Sequence, residues 1–229
     1  MRFMVLVVSL FALSGLNATP PAESIQGQLV LTRALTRRRV VLPEYSVRGA
    51  TPAKRPEING AIREWDRVAV YLEGGNPPKA APINATMTQS NQRFDPEMLV
   101  VPVGSIVSFP NSDPVFHNVF SLSKVREFDL GYYSAGQTRT VKFSTAGIVQ
   151  VYCHLHSDMS ASILVVPNAW YTRPDGNGAF SFSGIPPGAY QVVVWHRSAG
   201  FFRQQIQVSA GSMTKVSVEI PLAVSEAGL

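Results

Sequence analysis

Residues 149–159 read Val-Gln-Val-Tyr-Cys-His-Leu-His-Ser-Asp-Met, and this stretch sets both the fold class and the chemistry to look for. Val149, Val151 and Cys153 alternate with polar or amphipathic neighbours, so they share one face of a strand. Gly147 leads that strand, and Ile163-Leu164-Val165-Val166 supplies an apolar partner after a turn. The segment reads as a hairpin. Within its turn His156 and Met159 follow Cys153 at even steps of three, and such a loop can aim three side chains at one centre.

Working outward, the same short-strand texture covers the chain. Residues 98–109 (M-L-V-V-P-V-G-S-I-V-S-F) form a strand-turn-strand, Phe180 and Phe182 share a face, and so do Tyr190, Val192 and Val194. A final strand runs from Lys215 to Ile220. The 229 residues are 45% hydrophobic and 15% charged, with 17 Gly and 17 Pro and no stretch dominated by Ala, Glu, Lys and Leu. Wholesale disorder, helical bundles and coiled coils are excluded, and the class is all-β. The length allows one large domain or two small ones.

The net charge of +5 comes from 20 Lys+Arg against 15 Asp+Glu, an excess too mild to imply nucleic acid. Arg33, Arg37, Arg38 and Arg39 read as a solvated face, because no base-stacking aromatics interleave with them. Residues 1–18 pair a positive start with an apolar run too short to span a bilayer comfortably, which reads as a cleaved secretory signal, with an uncleaved anchor as the rival. The expected location is the periplasm, with no stable membrane insertion after cleavage.

Export sharpens the question of Cys153, the single cysteine, since it has no partner for an internal disulfide. A small buried hydrophobe is the bland reading. A thiolate, an imidazole and a thioether together suit copper, because sulfur ligands are soft donors, while zinc seldom recruits methionine. A blue-copper site needs a second histidine, and the chain has His117, His154, His156 and His196. His117, in a loop leaving the strand at residues 103–109, is the natural choice. His154 is adjacent to Cys153 and should face the other way. His196 reads as structural, and Met87 and Met98 as packing residues.

Residues 82–167 resemble the cupredoxins, and the loop C-x-x-H-x-x-M is most similar to that of amicyanin and its relatives. The resemblance rests on residues 98–109, the pair His117-Asn118, the strand at 136–143 (G-Q-T-R-T-V-K-F) and the glycine-led strand into Cys153. It implies a Greek-key β-sandwich holding one mononuclear type 1 copper. His117, Cys153 and His156 would be equatorial ligands, Met159 the long axial one, and Asn118 a supporting residue that ties the two ligand loops together. His154 departs from the pattern, standing where relatives carry a small hydroxyl residue that bonds that asparagine.

Residues 173–196 resemble the transthyretin-like, carboxypeptidase regulatory-like β-sandwich family. The early strands at 25–32 and 67–74 supply its missing members. The expected layout is a signal at 1–18, a sandwich built from 25–81 and 168–222, the cupredoxin unit of 82–167 inserted in it, and a tail at 223–229. The competing layout has the flanks packing on the cupredoxin sheet without forming a domain. Residues 43–63 read as a long surface loop.

Four histidines cannot build the oxygen-reducing cluster of a multicopper oxidase, and no G-x-S-x-G elbow marks a hydrolase. The expected function is therefore non-enzymatic: electron transfer through copper, with transient redox protein partners. The alternative is a copper-binding or copper-delivery protein in which His154 joins the site. A third reading is an adhesion or scaffold module whose Cys and His cluster is accidental.

Overall fold

Two burial patterns in the strands determine how the sheets stack. Some strands alternate buried and exposed residues, as an outer sheet with one wet face must. Others are buried on both faces. The computed structural model describes residues 24–32 and 64–221. The signal at 1–18, the arginines at 33–39, the loop at 43–63 and the tail at 223–229 lie outside the described residues.

The described residues are all-β apart from one turn of 3-10 helix at Glu64–Arg67. The first strands are β1 (Ser24–Leu31), β2 (Val68–Glu73), β3 (Asn84–Thr86), β4 (Thr88–Ser90), β5 (Arg93–Asp95) and β6 (Met98–Pro102). They are followed by β7 (Ile106–Pro110), β8 (His117–Ser123), β9 (Arg126–Tyr133), β10 (Thr138–Lys142), β11 (Gly147–Tyr152) and β12 (Ser160–Val166). The last are β13 (Tyr171–Thr172), β14 (Ala179–Ser183), β15 (Gly188–His196), β16 (Gly200–Val208) and β17 (Met213–Ile220).

Among the described residues these strands form four sheets and one hairpin. An outer sheet has the order β14-β1-β17, the next β13-β2-β15-β16, the next β6-β12-β11-β8-β9, and the last β10-β7-β3, with β4 and β5 paired separately. Each neighbouring pair of sheets encloses a core. Ile25, Leu29, Phe180 and Val218 meet Val70, Leu72, Val192 and Val194 in the first. Ala69, Tyr71, Val193 and Trp195 meet Met98, Leu164 and Val166 in the second. Val149, Val151, Ile163 and Val165 meet Val107, Phe109 and Val141 in the third.

This stacking explains the sequence patterns. β2, β12 and β15 lie in inner sheets and read as continuous apolar runs, whereas β1 and β17 alternate because their other face is wet. Met87 and Met98 are fully enclosed in cores, as packing residues should be. The reading of 136–143 and 147–153 as strands matches β10 and β11. His117, expected in a loop, instead opens β8, and its backbone is fixed by pairing with Tyr133 of β9.

Polar groups also cross the second seam. Arg67 and Arg197 both bond Glu97 Oε2, at 2.9 and 3.1 Å, and Arg197 reaches the Ser160 carbonyl at 2.9 Å. Sharing one carboxylate between two largely buried guanidinium groups ties strands before residue 82 and after 167 to the foot of β12.

The turn before β14 leaves little tolerance. Gly178 has φ +83 and a Cβ there would sit 2.8 Å from the Leu29 carbonyl oxygen, whose strand the Gly178 carbonyl also engages through the Leu29 N–H at 2.9 Å. Gly178→Ala should therefore cost about 2 kcal/mol or more, because left-handed backbone and a backbone clash add. Urea denaturation measures this, and an unchanged midpoint would show that the turn relaxes freely.

Candidate metal centre

Register brings Cys153 to the core. β11 pairs with β12 through Tyr152 opposite Ser160, leaving residues 153–159 as the connection. The Cys153 N–H donates to the Met159 carbonyl at 3.2 Å, and the Met159 N–H to the His156 carbonyl at 2.9 Å, so the loop is closed at its base and folded across its middle. Cys153 continues the face of Val149 and Val151 and is 5% exposed. His117, fully buried at the start of β8, comes from the neighbouring strand.

Three donor atoms converge. Cys153 Sγ lies 3.9 Å from His117 Nδ1 and 3.8 Å from His156 Nδ1, and the two nitrogens are 3.1 Å apart. Within that triangle a point about 2.0 Å from each nitrogen lies about 2.3 Å from the sulfur, lengths usual for imidazole and thiolate on a late first-row ion. Lone pairs aimed at one buried point repel unless a cation or protons lie among them. One thiolate and two imidazoles are also the set that copper favours. Met159 is 1% exposed and packs in the same core cluster as Cys153.

The surroundings stabilise a thiolate. Burial pushes the Cys153 thiol up, but hydrogen bonds from His117, the Asn118 N–H, His156 and the Leu155 N–H outweigh it and bring it from 9.0 down to about 6. The Asn118 amide stands 3.5 Å from Sγ. Burial presses His117 down, yet its contacts with Cys153 and Asp113 leave it raised. Asp113 is raised by burial and more than compensated by the Gln92 N–H, His117 and the Asn91 N–H, ending below the usual carboxylate range.

Chain comparisons can be set beside this geometry. The chain matches no family model and no curated protein. Among solved structures, 36% of it is similar to 99% of a purple cupredoxin from Nitrosopumilus maritimus, at 22% identity and a TM-score of 0.33. A stretch of 42% is similar to 25% of a copper-containing nitrite reductase from Thermus scotoductus, at 21% identity and a TM-score of 0.35. The same share is similar to 98% of a reduced amicyanin variant, at 19% identity and a TM-score of 0.35. The site therefore stands on its own geometry.

The remaining sequence-derived residues fall into place around it. Asn118 meets Cys153 through its backbone amide, while its side-chain Nδ2 donates to Asp129 Oδ1 at 2.6 Å and its buried Oδ1 has no protein partner. His154 turns outward, its ring stacked on Phe120 at 3.7 Å between centroids and its Nε2 3.8 Å from Asp129 Oδ2. His196 is remote in role: its Nδ1 accepts the Ser198 and Ala199 N–H groups, so Nε2 carries the proton toward Glu64 at 3.2 Å. It closes a turn.

Asp113 was not singled out in the sequence, although it precedes His117 by four residues. The signal was available, because a metal-binding histidine commonly gives its second ring N–H to a carboxylate.

In the metal-free protein the Cys153 thiolate should appear, in ultraviolet absorbance, with a midpoint near 6, moving toward 9.0 in denaturant. Between those values the unfolded chain holds the extra proton, so the thiolate stabilises the fold as pH rises through the window and that contribution is lost as pH falls through about 6. A folded-state midpoint near 9.0 would mean the ring and amide contacts do not act on the sulfur.

Proposed function

We propose that this is an exported mononuclear copper protein that carries single electrons between protein partners. The observation that carries the reading is the convergence of Cys153 Sγ, His117 Nδ1 and His156 Nδ1, within 3.9 Å of one another and closed off from bulk water on the Cys153 and His117 sides. Copper bound there would supply one-electron chemistry between its monovalent and divalent states. The residues' part is to hold a geometry that neither state dictates.

His117 is locked between β8 pairing and Asp113, and Cys153 between the β11 ladder and two amide donors. Near neutral pH the thiolate has already given up its proton, so the proton that a captured metal displaces is that of His117 rather than of Cys153. Met159, buried in the same core cluster as Cys153, is proposed as the residue that would complete the ligand set. The core cluster it shares with Cys153, including the fully buried Val149, Val151 and Phe109, would keep water from that side of the site.

The electron's way out is proposed to be the half-buried His156. Phe116, just before His117, and Leu155, just before His156, are 58% and 50% exposed, an apolar rim suited to brief docking. No bond of a substrate is broken in this scheme. Residues 1–18 are proposed as the export signal, giving a periplasmic location. Among the described residues no helix is long and apolar enough to cross a membrane.

We further propose that residues 82–167 are a cupredoxin unit inserted in a carboxypeptidase regulatory-like host of residues 25–81 and 168–222. In support, no sheet of the described residues mixes strands from the two sets. A copper-delivery role with His154 as a ligand requires that ring to leave its stack on Phe120.

Loading the protein from Thr19 onward with one equivalent of Cu(II) should give an intense thiolate-to-copper visible band with a compact type 1 paramagnetic signal, both abolished in Cys153→Ser. A pale spectrum indifferent to that change would sink the reading. His154→Ser should leave the band essentially in place, whereas a large spectral shift would bring His154 into the coordination sphere and favour delivery.

A further inference from the structure

We propose that Asp113 is a positioning residue for His117, and that the β4–β5 hairpin tip holds Asp113 in place, so that this hairpin sets the orientation and tautomer of one ligand. The inference rests on the metal-binding reading of the centre.

Asp113 is 7% exposed, and each of its oxygens has a donor. Oδ1 accepts the Asn91 N–H at 2.6 Å, and Oδ2 accepts the Gln92 N–H at 2.7 Å while lying 2.7 Å from His117 Nε2. An ionised carboxylate only accepts, so His117 must present Nε2–H to it. Nδ1 is then the atom turned to Cys153 and His156, the side on which the three donors converge: it donates to the thiolate while the ring is charged and offers a lone pair once that proton is gone. The ring cannot flip or exchange tautomers without losing a buried ionic hydrogen bond.

The hairpin is built for this contact. Asn91 and Gln92 have φ 54 and 55, two successive left-handed residues as a tight two-residue hairpin turn requires. Glycine is the usual choice at the second position, and Gln92 occupies it. The adjacent N–H groups this backbone exposes are the two that Asp113 takes. Asp113 is braced from behind as well, since its own N–H donates to Asn111 Oδ1 at 2.9 Å and Asn111 Nδ2 donates to the Val115 and Tyr133 carbonyls at 2.8 and 3.0 Å. Gln89, from the same hairpin, bonds the Tyr133 hydroxyl at 2.5 Å, and Tyr133 is the cross-strand partner of His117.

A carboxylate behind an imidazole raises its basicity and adds negative charge near the metal, which favours the divalent state over the monovalent one. Asp113→Asn keeps the shape but replaces an acceptor oxygen by an NH2 that faces N–H donors. Two readouts separate positioning from mere structure. Zn(II) affinity, by chelator competition, should fall about 10- to 100-fold in Asp113→Asn, and the copper reduction potential should move positive. Heteronuclear NMR of the histidine rings in the metal-free wild type at alkaline pH should show His117 carrying its proton on Nε2, and a mixture of tautomers in the variant.

The wild-type tautomer keeps the test informative even if Asp113→Asn fails to fold. A neutral His117 with its proton on Nδ1 in the wild type, or a folded Asp113→Asn with unchanged Zn(II) affinity and potential, would overturn the proposal. Should the wild type give no Cys153-dependent copper band, the copper reading fails alone, and the tautomer and Zn(II) measurements still decide the role of Asp113.

Discussion

Pairing of Tyr152 with Ser160 fixes β11 against β12, and a slip of one residue would turn Val149, Val151 and Cys153 out of the core and bring Gln150 and Tyr152 into it. Two cores police that register at once. β12 is buried on both faces, with Ile163 and Val165 in one core and Leu164 and Val166 in another, so any slip exchanges both sets. The loop at 153–159 thus begins and ends at positions the sheets dictate, and the Cys153 N–H to Met159 carbonyl bond closes it. Arg197, bonded to Ser160 immediately beyond, anchors the same point from the flanking strands.

Within this frame the centre is a buried polar network whose charges need one another. A thiolate beside two imidazoles and a carboxylate behind one of them would be costly to enclose singly. Together they alternate in sign when His117 is protonated, and a bound cation can take the place of that proton. Leaving any member unpaired would carry the penalty of a lone buried charge, which is why the chain spends backbone amides of Asn118, Asn91 and Gln92 on the anions.

Much of this was legible in the sequence. Alternation at 149–153, the spacing of His156 and Met159, and the rarity of histidine pointed to the cluster, and β1, β2, β14, β15 and β17 stood out by pattern and turn signals. The parts that were not legible have physical causes. β9 and β16 carry many exposed or half-buried residues, so no clean period marks them. His117 looked like a loop residue because Pro114 and Asp113 precede it, yet the ladder to Tyr133 begins at His117 itself. Asp113 was hidden because its role depends on a hairpin more than twenty residues away in sequence, and only the fold brings Asn91 and Gln92 to it. Asn118, expected to tie the two ligand loops together, meets Cys153 through its backbone amide, an atom that no side-chain pattern marks.

The first described strand, β1, lies parallel to the last, β17, with Ser24 opposite Met213 and Leu31 opposite Ile220. During synthesis this outer sheet cannot close until nearly the whole polypeptide has emerged, whereas all the strands around the Cys153 cluster lie between residues 84 and 166. Contacts so distant in sequence form slowly, because the intervening chain must be ordered first. The order of assembly is therefore written into the connectivity: the strands of residues 84–166 can condense first, and the final strand then zips the outer sheet shut around a body that is already built.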